Sequence, residues 1–262
     1  MKYKLETYSS FLKMDYQYDK PVSLYVDKPV NDNNDDFKVA LLIEPSTILP
    51  NHHRYILENY NKFNYILTYD SELLKLPNSI LFEFGCPWIQ HLGYSYPEKE
   101  FGVSIVISNK LMAPGHALRK ELWERQNEIK IKKKFFKSFY GSFDGFENNP
   151  ILGQNKYPLF NTTHSIIIEN TKSDYYFTEK ITDCLITKTI PIYWGANMIF
   201  DYFDNIIQVQ SVNEIIDICN NLSHNDYRIS NDIIESNFNK AIEFEKYNEK
   251  LNNKIRQLTW IN

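Results

Sequence analysis

The sequence predicts an α/β fold with two lobes, and three observations carry that prediction. From Phe37 onward, short β-branched runs, polar turns and segments of helical spacing follow one another in a repeating order, the order that builds parallel sheets flanked by helices. The strand-like runs are apolar on both faces, as in residues 38–43 (KVALLI), which suits strands buried between helical layers. With 262 residues, 43% hydrophobic and 24% charged, the chain can bury a sizeable core in one large domain or two small ones.

The elements follow in order. A helix is expected over 52–59 after the first strand, then strands over 63–69 (FNYILTY) and 79–84, the latter ending at the Gly85-Cys86-Pro87 turn. Residues 93–102 (GYSYPEKEFG) turn to Tyr, Pro and charge, the composition of a hinge. We therefore expect an N-terminal lobe over 1–98 and a C-terminal lobe over 99–262. In the second lobe the pattern gives strand 103–108, helix 115–128, strand 134–140, an aperiodic loop 141–160, strand 165–169, helix 178–187, strand 190–194, a helical turn near Phe200, strand 205–209 and helix 212–222. Ser211 with Glu214 three residues on is a capping-box signature for that last helix. The tail 231–258 reads as one or two amphipathic helices, with Ile233, Ile234, Phe238, Ala241, Ile242 and Phe244 as the apolar stripe.

Several function classes are disfavoured. The net charge of -4 and pI near 5.9 give no field for nucleic acid. The basic run 130–137 (KIKKKFFK) reads as a solvated helix end entering an edge strand. Cys86, Cys184 and Cys219 are widely spaced, with no C-x-x-C pair and no histidine placed to complete a zinc site, so they read as reduced, packed thiols. The N-terminus lacks the apolar core of a signal peptide, and no window reaches the roughly 20 apolar residues of a spanning helix; the expectation is a soluble, cytoplasmic chain. The acidic patch 31–36 (NDNNDD) precedes the first expected strand, whereas a metal-binding carboxylate pair belongs after a strand end, so it reads as a solvated loop.

Chemistry is expected at strand ends, because crevices there hold the ligands of α/β proteins. The strand over 165–169 ends at Glu169-Asn170, and Thr178 then stands at a helix N-cap, so the amides of the first turn and the positive end of the helix dipole can receive an anion. Lys180 lies in that first turn, where the dipole disfavours a cation; it either neutralises a bound phosphate or pairs on the surface with Glu179 or Asp183. A second anion-ready turn is Ser108-Asn109-Lys110, followed by Pro114-Gly115-His116 opening a helix that carries Arg119. Arg119 reads either as a second phosphate ligand or as an exposed helix arginine, and His116 as a donor contact or as helix-start packing. Two helix starts that each bear a cation suit the two phosphates of a nucleoside diphosphate. His52 and His53 read as surface or capping residues, since neighbours on a helix face apart. His164 flanks a strand, and Trp88 and Trp194 are either sugar-stacking walls or core.

These blocks resemble a known family. Phe177-Thr178-Glu179-Lys180, the apolar helix after it and TIPIYWG at 189–195 are similar to the motif of the α1,3-fucosyltransferases, as are Glu169-Asn170 and the strand VSIVISNK at 103–110. The match spans roughly 103–222, several blocks in the right order. In the first lobe Ile43-Glu44-Pro45-Ser46 and the strand from Phe63 are similar to that family's Glu-Ser-Pro block and Phe-Asp strand, here with Glu-Pro-Ser and with Asn64 at the Asp position. The resemblance implies a GT-B fold of two Rossmann-like lobes facing across a cleft, the N-terminal, acceptor-side one reduced. It implies inverting transfer of fucose, or the sugar of a related GDP-sugar, to a glycan hydroxyl without a metal; the alternative is a relative that keeps the nucleotide pocket and is catalytically silent. Glu44 would be the general base, with Glu83 in reserve, while Lys180 and Arg119 stabilise the leaving diphosphate. Glu179 would bind nucleoside or sugar, Tyr176 or Phe177 would pack against the nucleotide, and Asn170 would bond the sugar region. Thr178, Ser108, Asn109, Lys110 and His116 would complete the donor site.

Overall fold

A computed structural model describes residues 3–6, 18, 20–30, 35–138, 141, 149–153 and 155–261. Residues 31–34 of the acidic patch, Tyr140 and most of the loop after it lie outside the described residues. The chain divides into two compact units, one of Met1–Phe84, Ser173–Tyr176 and Lys246–Asn262, the other of Gly85–Lys172 and Phe177–Glu245.

The first unit is built on a five-stranded sheet with every pair parallel, in the order β1 (Tyr3–Glu6), β2 (Val22–Val26), β3 (Phe37–Leu41), β4 (Tyr65–Thr68) and β5 (Ser79–Leu81). Strand β2 is buried along its whole length, and its Leu24 stands opposite Val39 of β3. The sequence pattern placed no strand before Phe37, so β1 and β2 are additions. Helix α1 (Pro50–Asn59) turns His53 and Ile56 inward, and Ile56 joins Tyr25, Ala40, Leu42, Phe63, Ile66 and Leu73 in one apolar cluster. The C-terminal helix Tyr247–Ile261 belongs to this unit too. It buries Tyr247, Leu251, Ile255 and Leu258, a stripe of helical period, and Tyr247 packs edge-on against Phe82 and Phe84 at 5.6 and 5.4 Å.

The second unit carries a six-stranded parallel sheet. In chain order its elements are β6 (Glu100–Ile107), α2 (Pro114–Glu124), β7 (Lys133–Ser138), β8 (Ile151–Leu152), β9 (Thr162–Ile168), α3 (Glu179–Ile186), β10 (Ile190–Trp194), β11 (Ile207–Gln208), α4 (Val212–Asn221), α5 (His224–Ile229) and α6 (Asn231–Ile242). The strand order is β11-β10-β9-β6-β7-β8. The chain thus winds outward from β6 through β7 to β8, then returns to the other side of β6 and winds outward again. Such a reversal opens a crevice beyond the carboxyl ends of the two strands where it occurs, here β6 and β9.

Both faces of this sheet are covered. On one, Ile105, Ile107, Ile166, Ile168, Ile192 and Trp194 pack with Leu122 of α2 and Ile215 and Cys219 of α4. On the other, Phe136, Ile167 and Tyr193 pack with Ile181, Cys184 and Leu185 of α3 and Ala241 of α6. Strand β9, TTHSIII, is buried at every position, as a central parallel strand should be. The three thiols are free, and Cys184 and Cys219 are fully buried, as expected.

Several expectations need adjusting. Helix α2 stops at Glu124, and Gln126–Glu128 forms a separate 3₁₀ turn. The basic run enters no edge strand, because β8 pairs outside β7; its Phe135 and Phe136 are buried, and Lys134 pairs with Glu100 at 2.6 Å. Helix α5 was not foreseen; at six residues it is too short for a periodic signal to stand out.

Candidate functional site

The reversal point between β6 and β9 gathers most of the sequence-predicted residues. Strand β6 hands over to Ser108-Asn109-Lys110 and then α2; β9 hands over to Glu169-Asn170 and, after a loop, to α3. The start of α2 is pressed onto the end of β9. Gly115 donates its amide to the Asn170 carbonyl at 3.0 Å, and a Cβ at Gly115 would stand 1.8 Å from the Glu169 carbonyl oxygen. No side chain fits there without displacing backbone. Gly115→Ala is therefore expected to lower stability by about 1–3 kcal/mol and to weaken anion binding as the α2 start shifts; urea unfolding and ligand titration of the variant check both.

Glu169 is the organising group. Its carboxylate is fully buried and accepts the Thr178 amide at 2.9 Å, the Thr178 hydroxyl at 2.8 Å and the Lys180 ammonium at 3.2 Å. Three donors around one buried carboxylate, one of them charged, make the ion tolerable away from water. Gly195 makes room for it, since a Cβ there would meet the Tyr193 hydroxyl at 2.2 Å and Glu169 Cγ at 2.8 Å. Thr178 is the N-cap of α3, its hydroxyl accepting from the Lys180 amide at 3.4 Å. Lys180 is thus clamped by Glu169 and by Thr178 Oγ1 at 2.9 Å, with Glu179 at 3.8 Å. Its side chain stays 27% exposed.

Glu179 and Asp183, one turn apart on α3, share a cation that sequence reasoning did not find. Lys156, from the aperiodic loop, lies 2.9 Å from Asp183 and 3.4 Å from Glu179, with its ammonium 3.9 Å above the Trp88 ring. Asp183, fully buried, also accepts the amides of Trp88 and Ile89 at 2.7 and 2.9 Å. Burial works against the charged form of Lys156, but Asp183 and Glu179 outweigh it and raise its pKa. Burial likewise raises the Glu179 carboxyl, and the charges of Lys180 and Lys156, with hydrogen bonds from Lys156 and Thr178, outweigh that and hold it at about 2. The i, i+4 pairing of two carboxylates was visible in the sequence and called for a cation; nothing in the loop's composition singled out Lys156.

Arg119 is not an exposed helix arginine. It is 7% exposed, and its guanidinium reaches the Ile168 carbonyl at 2.5 Å and Asn170 Oδ1 at 3.2 Å. His116, one turn earlier, is buried, and its Nδ1 has no hydrogen-bond partner among the described residues. Burial, then the charges of Arg119, Lys110 and Lys180, push its pKa down to about 4, so the imidazole is neutral at pH 7 within a ring of cations. Ser108 is half-buried, and Asn109 and Lys110 are exposed at the same strand end. The arrangement offers fixed positive charge and a neutral imidazole at one place, which is the chemistry of an anion site.

These shifts set an acid limit. His116 takes up its proton near 6.5 when unfolded but near 4 when folded, so it removes stability as pH falls through that window. Glu179 contributes stability above about 4.5 that is lost as pH falls towards 2. A urea-midpoint profile should therefore decline below pH 6.5, and His116→Gln should flatten its upper part.

Other predicted residues lie elsewhere. Phe177 is in the core, 1% exposed, packed on Tyr202, Phe203 and Phe244. Tyr176 is equally buried and packs against Tyr69 in the first unit. Neither presents a ring face to a nucleotide. Glu44 is exposed at the end of β3, its amide donating to Asp27 at 3.2 Å. Burial, opposed by the amides of Ile43 and Glu44, raises the Asp27 carboxyl to about 7. Glu83 follows β5, Trp194 is core, His164 is buried within β9, and Trp88 is 58% exposed.

No protein-family model and no curated protein matches this sequence. Solved structures do. A crystal structure of an α1,3-fucosyltransferase with GDP is similar at TM-score 0.53 and 17% identity, covering 89% of this chain and 78% of that one. The GDP-fucose complex is similar at 0.51 and 17%, covering 86% and 77%. The fold is GT-B. A structure of TarM also superposes, at TM-score 0.52 and 16% identity over 92% of this chain and 54% of that one. The GT-B assignment accounts for the two parallel sheets and for the site at a strand-order reversal. No helix among the described residues is long and apolar enough to cross a membrane.

Proposed function

We propose that the chain is an inverting glycosyltransferase that moves a sugar, fucose foremost, from a GDP-sugar to a glycan hydroxyl. The observation that carries this reading is the convergence of Arg119, Lys110, Lys180 and neutral His116 on the β6/β9 reversal point. The likeness to fucosyltransferases with GDP and GDP-fucose supports the choice of donor. In this reading the donor belongs to the lobe from residue 99 onward and the acceptor to the lobe 1–98. Lys180 and Arg119 stabilise charge growing on the departing GDP, and these cations take the place of a metal at the donor site. His116, Ser108, Asn109 and Lys110 complete the phosphate contacts, Thr178 holds the α3 start, Asn170 bonds the sugar region, and Glu179 binds nucleoside or sugar. Glu44 removes the proton from the acceptor hydroxyl as that oxygen attacks the anomeric carbon and the bond to diphosphate breaks.

Calorimetric titration with GDP, GDP-fucose, GDP-mannose, UDP and UDP-glucose tests the donor. Selective binding of the guanine nucleotides supports the reading, and absence of any nucleotide binding sinks it. Glu44→Gln separates base from donor site: GDP affinity is expected unchanged and transfer reduced by about 10²-fold or more. Unchanged transfer in that variant removes Glu44 from the role.

A further inference from the structure

The first unit holds a second cluster of ligand-type side chains, formed by His53 of α1 and by Asp70 and Glu72 just beyond β4. His53 Nε2 lies 3.1 Å from Asp70 Oδ1 and 3.9 Å from Glu72 Oε2, and one donor atom from each of the three falls within 4.8 Å of the others. None of the residues assigned above to sugar transfer takes part.

We propose that His53, Asp70 and Glu72 form a binding site for a first-row divalent cation of the zinc type. Zinc takes imidazole nitrogen and carboxylate oxygen at about 2.0–2.2 Å in tetrahedral geometry, which sets neighbouring ligands about 3.4 Å apart. The observed 3.1 and 3.9 Å bracket that edge. Glu72, with 63% of its side chain exposed, has the freedom to close the longer one.

The histidine itself supplies the independent observation. His53 is 9% exposed, and its Nε2, though close to Asp70, makes no hydrogen bond among the described residues. It stands within ion-pair distance of both carboxylates, 3.1 Å from Asp70 and 3.9 Å from Glu72. A buried nitrogen this close to two carboxylate oxygens, without a hydrogen bond of its own, is an arrangement a cation completes.

The site is also held in place before any ion arrives. Asp70 Oδ1 accepts the amides of Glu72 at 2.9 Å and Leu73 at 3.1 Å, which fixes both the carboxylate and the turn that carries Glu72. His53 sits on the buried side of α1, whose Ile56 is locked in the core cluster. The imidazole favours zinc-type ions over calcium, which takes six to eight oxygens. Three protein ligands leave water as the fourth, and Glu72's exposure gives a path for it.

The test uses the full chain, stripped with chelator and titrated with zinc chloride by calorimetry, beside Glu72→Gln and His53→Gln. The wild type is expected to bind one equivalent, with affinity at least about tenfold lower in Glu72→Gln and none at this stoichiometry in His53→Gln. Cobalt in place of zinc should give a visible absorption band that Glu72→Gln shifts. Because Glu72 is exposed, its variant folds whatever becomes of His53→Gln. Absence of binding in the wild type, or binding that Glu72→Gln leaves unchanged, overturns the proposal.

Discussion

Replacing Lys180 by alanine is expected to lower kcat/KM by about 10²- to 10³-fold, the cost of removing one charge-stabilising group from a transfer site, and to abolish GDP binding in calorimetry. Lys180 is the partly exposed member of the Glu169 clamp, and it adds charge beside His116. Fully buried Glu169 loses its charged partner, which lowers stability, but it keeps the Thr178 amide and hydroxyl. Near-UV circular dichroism distinguishes loss of the site from loss of the fold. Native spectra with GDP affinity intact would show that Lys180 serves only the clamp.

Lys156→Met is expected to have the largest effect on stability, a loss of about 3–5 kcal/mol in urea unfolding, because it strands the buried Asp183 carboxylate beside Glu179. Adding Asp183→Asn should restore part of that loss, since a neutral amide no longer needs the cation. A double variant no more stable than Lys156→Met alone would mean that stacking on Trp88, and not the ion pair, is what Lys156 contributes. The raised pKa of Lys156 places its contribution below the unfolded value of 10.5, fading as the solution is made more alkaline than its folded pKa.

What could be read from the sequence follows the range of the interactions involved. Thr178 was legible as an N-cap and Ile190–Trp194 as a strand because local residues decide both. Asn170 was foreseen at a strand end, and Arg119 one turn into a helix, but their bond at 3.2 Å depends on β6 and β9 being neighbours. Glu169 lay in plain view, yet its partners, nine and eleven residues away, meet it only because the chain doubles back after β9. Phe177 and Tyr176 were misplaced because a buried ring and a ring stacked on a ligand look alike in a string of letters. Strand β2 was missed because its five residues carry no helix-spaced partner before Phe37 to frame them.

The first unit takes its last helix from the far end of the chain, and this bears on the order of events during synthesis. Phe82 and Phe84 leave the ribosome about 160 residues before Tyr247, the ring that covers them. At roughly 5–20 residues per second, that apolar edge waits on the order of ten seconds or more for its cover. The second unit, by contrast, is complete by Glu245. Nascent chains that have emerged from the ribosome only as far as residue 245 should therefore present a finished second unit and an unfinished, chaperone-attracting first one.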